Sequence, residues 1–256
     1  LRRPLGQHFL HHPDILQRIV SMSALKEDDL VVEIGAGKGR LTEFIAEKVS
    51  KVLAIEVDRR LCRELMEKFS GREEVEIVCG DVLKFDFTAL PPFKVIANIP
   101  YYITTPILFR LLEDSVPLIT ATLTVQKEVA ERIVASAGTK KYGVLSVMVQ
   151  FVADVEVLFY IPKGAFAPPP KVDSAVVFIK RLSVPRVSVS DRRLFRKIVK
   201  TAFRQRRKTI ANSLKPIRSD IKDLLLEVGV SPDRRAETLT LEDFALITEA
   251  VKSGSQ

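Results

Sequence analysis

Val31-Val32-Glu33-Ile34-Gly35-Ala36-Gly37-Lys38-Gly39 reads as a buried strand running into a glycine-rich turn, and Thr42, Phe44-Ile45 and Val49 follow at helical spacing. Glycines let a backbone take positive φ and approach a ligand closely. Their spacing separates two cofactor classes. A dinucleotide turn reads G-x-G-x-x-G, whereas here the third glycine comes one place early and Arg40 stands where it is expected. A G-x-G-x-G turn suits the amino-acid part of S-adenosylmethionine instead, with Gly35 and Gly37 as the residues nearest to it.

Outward from this turn, apolar runs rich in β-branched residues recur at 30–34, 51–57, 75–79, 93–97 and 118–125. Helical spacing lies between them, at Leu61, Leu65-Met66 and Phe69, then at Ile107-Leu108 and Leu111-Leu112. The alternation predicts an α/β fold, a Rossmann-like parallel sheet with helices on both faces. Two later runs, 155–161 and 172–180, are joined by a short proline-rich stretch and predict an antiparallel pair at one sheet edge. Pro185 and small polar residues mark a boundary at 182–190. Beyond it Phe195, Val199 and Phe203 fall four apart, as do Arg206, Ile210 and Leu214. The expectation is a catalytic domain over 1–182 and a small all-helical domain over 188–256.

Strand-end residues extend the cofactor site. Glu56 ends the second strand, Val52-Leu53-Ala54-Ile55-Glu56, where a carboxylate can accept both ribose hydroxyls, and Asp81, itself followed by Val82, comes after the third, placed to accept from an adenine amine. A strand-end acid also reads as a helix cap. After the fourth run comes Asn98-Ile99-Pro100-Tyr101. The lone pair of an adenine amine is delocalised into its ring. An Asn oxygen and a backbone carbonyl accepting its two protons favour a more pyramidal nitrogen. Pro100 fixes the turn, and Tyr101 offers a flat face to an extruded base. Phe166, opening the stiff Phe166-Ala167-Pro168-Pro169-Pro170-Lys171 stretch, is a second aromatic for the other face of the base.

Charge points to a polyanion. The 256-residue chain has net charge +8 and 46% hydrophobic residues, enough for a substantial core. Twelve Lys and Arg stand between Arg181 and Lys215 against the single acid Asp191, so this segment carries +11 and the remainder −3. Such a run also reads as a solvated helix face. No apolar run is long enough to cross a bilayer, and Leu1-Arg2-Arg3-Pro4-Leu5-Gly6-Gln7 lacks the apolar stretch of a signal peptide, so a cytoplasmic location is expected. Cys62 and Cys79 each lie in an apolar-periodic segment and read as core, not as a disulfide or zinc ligands. His8, His11 and His12 have no partner cysteine, and no metal is expected.

These residues together resemble the KsgA family of small-subunit ribosomal RNA adenine dimethyltransferases. The likeness spans nearly the whole chain, through Gly6-Gln7-His8-Phe9-Leu10, the Glu33 to Gly39 turn, Asn98 to Tyr101, Leu145-Ser146-Val147-Met148, Phe166 to Ser174 and Gln205-Arg206-Arg207-Lys208-Thr209-Ile210. The resemblance implies cofactor contacts at His8, Leu10, Gly35, Glu56, Asp81 and Asn98. It also implies amine contacts from Asn98 and the Ile99 carbonyl, with Tyr101 and Phe166 flanking the adenine. The implied reaction is two methyl transfers to each of two adjacent adenines in a hairpin loop near the 3′ end of small-subunit RNA. Arg204, Arg206, Arg207 and Lys208 would grip RNA phosphates, and docking on a ribosomal particle suits a monomer. His8 stands where the family usually has Asn, Ile99 where Leu is common and Tyr102 where Asn is frequent. Ile99 also occurs in the large-subunit adenine methyltransferases of macrolide resistance, which typically lack the full proline-rich stretch and the basic signature. A non-catalytic RNA-binding assembly factor is the other alternative, though a pure binder needs neither Glu56 nor Asn98.

Overall fold

The computed structural model of the protein describes residues 8–254, so Gly6-Gln7 of the N-terminal motif lie outside it. The chain forms two compact units, Leu1–Ala130 with Asp154–Arg181, and Glu131–Ala153 with Leu182–Gln256. The first holds β1 (Phe9–Leu10), α1 (Pro13–Ser21), β2 (Leu30–Ile34), α2 (Arg40–Ala46), β3 (Lys51–Glu56), α3 (Arg59–Lys68) and β4 (Val75–Cys79). β5 (Phe93–Asn98), α4 (Thr104–Leu111), β6 (Leu118–Gln126) and the start of α5 (Lys127–Ile133) follow, and the chain returns with β7 (Ala153–Ile161), β8 (Phe166–Ala167) and β9 (Ser174–Arg181).

Seven strands make one sheet in the order β4-β3-β2-β5-β6-β9-β7. β4, β3, β2, β5 and β6 run parallel, with Val32 opposite both Leu53 and Val95, and β9 lies antiparallel to β6. The inner strands are mostly apolar because helices cover them, with Glu33 in β2 and Lys94 in β5 as buried exceptions. Val31, Val52 and Ile96 pack with Leu16 and Ile19 of α1 and Leu41 and Ile45 of α2. Ala54 packs with Leu65 and Phe69, from α3 and its C-terminal end. Pro13 opens α1 at a position whose N–H has no helical partner, and Asp58 caps α3 by accepting from the Arg60 and Leu61 amides. A separate two-stranded ribbon pairs β1 with β8, Leu10 opposite Phe166. Two residues a side are too few to leave a periodic signal. Among the described residues no helix is long and apolar enough to cross a membrane.

The second unit is helical: α6 (Val144–Val152), α7 (Arg192–Phe203), α8 (Ile210–Leu214), α9 (Ile221–Glu227) and α10 (Leu241–Ser253). Asp191, the one acid of the basic run, caps α7 by accepting from the Arg193 and Leu194 amides at 2.9 Å. Phe195, Ile198, Val199 and Ala202 are buried, while Arg193, Arg196, Lys197 and Lys200 lie on the exposed face. Residues 131–153, expected with the sheet from the sequence pattern, fall in this unit instead, and Phe151 of α6 stacks on Phe195 with ring centroids 4.6 Å apart. α6 is apolar on nearly every side, so its pattern does not say which neighbour it serves.

The cysteines correct the sequence expectation. Cys62 and Cys79 form a disulfide, Cα atoms 5.8 Å apart, that joins α3 to the last residue of β4. Periodicity assigns each residue to an apolar face but does not say that the two faces meet. Bridging residues 17 apart is expected to stabilise the fold by about 3 kcal/mol. Urea unfolding with and without reductant measures this, and identical midpoints would remove the bridge from the stability of this unit.

Candidate active site

Strand order reverses between β2 and β5, so the connections leaving their carboxyl ends part and open a crevice. A cleft opens there toward solvent. Its walls come from four strand ends: Ile34, Gly35 and Gly37 at the end of β2, Glu56 and Val57 at the end of β3, Gly80 to Leu83 after β4, and Asn98 to Ile103 at the end of β5, with His8 and Phe9 from the N-terminal arm.

The glycine turn is shaped by close approach. Gly37 has φ +60°, and a Cβ there would meet the Phe9 ring at 2.9 Å, while one at Gly39 would meet Phe69 at 2.6 Å and Leu65 at 2.7 Å. The Gly37 amide donates to Glu56 Oε2 and the Asp58 amide to Glu56 Oε1, each at 2.9 Å. A carboxylate has about four acceptor sites. Two fix Glu56 in place, and its remaining lone pairs can take a pair of vicinal hydroxyls. Asp81 both lines the cleft and accepts from the Leu83 amide at 2.9 Å, so the cap and ligand readings of this acid are compatible.

Asn98 is oriented by the arm. Its Nδ2 donates to the His8 carbonyl at 3.0 Å, which fixes the amide so that Oδ1 is the atom left to accept. The Ile99 amide donates to the Thr124 carbonyl at 3.2 Å, turning the chain out of β5 into Pro100 and Tyr101. His8, Gly35, Gly37, Glu56, Asp81, Val82, Asn98, Ile99, Pro100 and Tyr101 therefore all reach one cleft. Glycine cradle, held carboxylate and strand-end acid fit S-adenosylmethionine.

Two expected residues are placed elsewhere. Leu10 is buried and borders an adjoining pocket with Glu33, Gly37, Lys38 and Asn98. Phe166 is only 2% exposed, packed in the core cluster with Leu10 and Val176, and is not on the cleft wall. Its expected place is against the other face of the base, but the β1–β8 pairing turns it into the core. Arg206 departs too. It donates to the Lys140 and Tyr142 carbonyls at 2.8 and 2.9 Å and lies 3.5 Å from Glu237, a tie within the helical unit. Arg204, Arg207 and Lys208 are exposed. Among the described residues no group of three His, Cys, Asp or Glu could hold a metal ion.

One acid escaped the sequence reading. Glu33 is fully buried one residue before the end of β2, and the Thr42 hydroxyl donates to its Oε2 at 2.5 Å. Burial pushes its pKa up to about 8, opposed by the Thr42 bond, with Glu56 raising and Lys68 lowering it. The signal was present as a single carboxylate inside Val31-Val32-Glu33-Ile34, a run otherwise wholly apolar.

With β9 set antiparallel beside β6 at the end of a parallel sheet, this cleft makes the chain a class I S-adenosylmethionine-dependent methyltransferase. Residues 1–253 match the family described as ribosomal RNA adenine dimethylase. The chain belongs to that family. It is 42% identical over 260 residues to the ribosomal RNA small subunit methyltransferase A of Caldanaerobacter subterraneus subsp. tengcongensis, covering 98% of this chain and 97% of that one. Among solved structures, a dimethyladenosine transferase from Plasmodium falciparum superposes with TM-score 0.80 at 26% identity, covering 96% of this chain and 98% of that one. The 23S rRNA methyltransferase ErmE superposes with TM-score 0.72 at 29% identity, covering 95% and 99%.

Glu33 generates a pH prediction. Its folded pKa of about 8 lies above the ordinary 4.5, so between these values the folded state holds a proton that the unfolded state releases. Stability therefore falls as pH rises through that window and levels off above it. Glu33→Gln removes this titration, and its stability should decline less between about pH 5 and pH 8, by an amount on the order of a few kcal/mol. Urea unfolding at both pH values tests it; parallel pH profiles for the two proteins would mean that Glu33 is ionised in the fold.

Proposed function

We propose that this chain dimethylates the exocyclic amines of two adjacent adenines in a hairpin loop near the 3′ end of small-subunit ribosomal RNA, acting as a monomer on a ribosomal particle in the cytoplasm. The observation that carries the chemistry is the orientation of Asn98, whose Nδ2 is occupied by the His8 carbonyl while Oδ1 is left for an amine proton. The relatives that match the whole chain at about two-fifths identity are named for the small subunit, which favours that RNA over the 23S RNA named for ErmE.

S-adenosylmethionine supplies a methyl group on a positively charged sulfur that leaves as a neutral thioether. Glu56 takes the ribose hydroxyls, Asp81 the adenine amine of the cofactor, and Gly35 and Gly37 admit its amino-acid end, with His8, Leu10 and Val82 around it. Asn98 Oδ1 and the Ile99 carbonyl accept the two protons of the target amine and draw its lone pair out of the ring. Tyr101, set by Pro100, carries the base face. The methylated nitrogen is acidic enough to lose its proton without a strong base, so positioning dominates the catalysis. Arg204, Arg207 and Lys208 hold RNA phosphates directly. Arg206 supports them by fixing the turn they stand on.

Transfer of labelled methyl to small and large subunits lacking adenine dimethylation, followed by nucleoside analysis, tests the reading. Dimethyladenosine in the small-subunit RNA is expected. Label confined to the large subunit would move the chain to the macrolide-resistance type, and RNA binding without label would make it an assembly factor. Asn98→Ala should lower the transfer rate by about 100-fold or more with particle binding retained. Arg207→Ala should weaken binding and reduce the salt slope by about one. Arg206→Ala should instead lower the stability of the helical unit, which thermal unfolding reads separately.

A further inference from the structure

Tyr101 is held at both ends of its side chain's reach. Its hydroxyl lies 2.7 Å from Ser174 Oγ, and its ring stacks on the His8 imidazole with centroids 5.6 Å apart and planes 30° apart. Ser174 is the first residue of β9, opposite Gln126 of β6, and is completely buried. Its oxygen is thus anchored in the sheet frame. His8 is itself braced, because its Nδ1 lies 2.7 Å from the Pro168 carbonyl. A carbonyl only accepts, so Nδ1 carries a proton in this contact. Tyr101 remains only partly buried and lines the cleft.

We propose that Ser174 is a positioning residue for methyl transfer, one that fixes the plane of Tyr101 before RNA arrives. Ser174 does not border the cleft and acts only through the phenol. A tyrosine anchored solely at its backbone turns about two side-chain torsions. A base stacked on such a ring samples poses of which few are in line with the methyl group, and small misplacements are expensive in rate. With the hydroxyl tied to β9 and the ring braced by His8, the base meets a surface whose orientation is already set. This inference rests on the reading of Tyr101 as the shelf for the target base.

The bond can be removed from either side. Ser174→Ala and Tyr101→Phe should each lower the single-turnover methylation rate on unmethylated small subunits about three- to tenfold. The double variant should be no slower than either single one, because both remove the same bond. Ser174→Thr, which keeps the hydroxyl, should restore the rate. Cofactor affinity, measured by calorimetry with S-adenosylhomocysteine, should be unchanged throughout. Tyr101→Phe keeps the ring and is the control for misfolding of Ser174→Ala. Defects that multiply in the double variant, or a loss of cofactor affinity as large as the loss of rate, would overturn the assignment. Tyr101→Ala separates the layers: a severe defect there beside normal Ser174→Ala and Tyr101→Phe proteins would overturn only the role of Ser174. A Tyr101→Ala protein of normal rate would remove the shelf and this inference with it.

Discussion

The bond from the Gly37 amide to Glu56 ties the end of β3 to the turn after β2, and much of the cofactor wall depends on it. A left-handed backbone at Gly37 aims that amide across the gap, and only a residue without a side chain clears the Phe9 ring. The same carboxylate accepts from Asp58, the residue that caps α3. One buried acid thus fixes the glycine turn and the start of the following helix, and still has lone pairs for a ligand. The two backbone amides give this buried carboxylate hydrogen bonds that water would otherwise supply.

The arm before α1 has a comparable reach from very little structure. β1 is two residues long, yet it pairs with β8, and the adjacent His8 carbonyl orients Asn98. Because the Asn98 contact uses the main chain of His8, exchanging the family's usual Asn for His at this position leaves that contact unaffected. The side chain is then available for another task, and it meets Tyr101 and Pro168. The His8 side chain therefore bears on the support of Tyr101, while the amide geometry of Asn98 rests on the main chain.

The sheet and most of the cleft were legible because a doubly covered strand leaves a continuous apolar run and an open sheet puts ligand residues at strand ends. What was illegible was pairing. Lys94 interrupts the apolar run 93–97, yet it is buried, its Nζ 2.7 Å from Asp29 and 2.5 Å from the Ala24 carbonyl. No pattern along the chain joins partners 65 or 70 positions apart. The disulfide, the Leu10–Phe166 register and the assignment of α6 to the helical unit were hidden for the same reason. Phe166 shows the cost of reading a residue type without its register: an aromatic on a proline-rich stretch suggests a partner for the other face of the base, and a two-residue ribbon buries it.

The basic run shows how composition and structure divide the work of a charged surface. On α7 the apolar residues recur every three to four positions, so the intervening Arg and Lys are forced onto one exposed face by the helix itself. After Phe203 there is no helix to sort them. Gln205, Arg206, Arg207 and Lys208 lie in a turn, where side chains radiate and one of them must secure the backbone. Arg206 does so by binding two carbonyls of the 140–142 segment, a task for which a planar guanidinium with several donors is better suited than an ammonium. A net charge cannot distinguish that arginine from its neighbours. One of the three cations of this turn is therefore engaged within the helical unit.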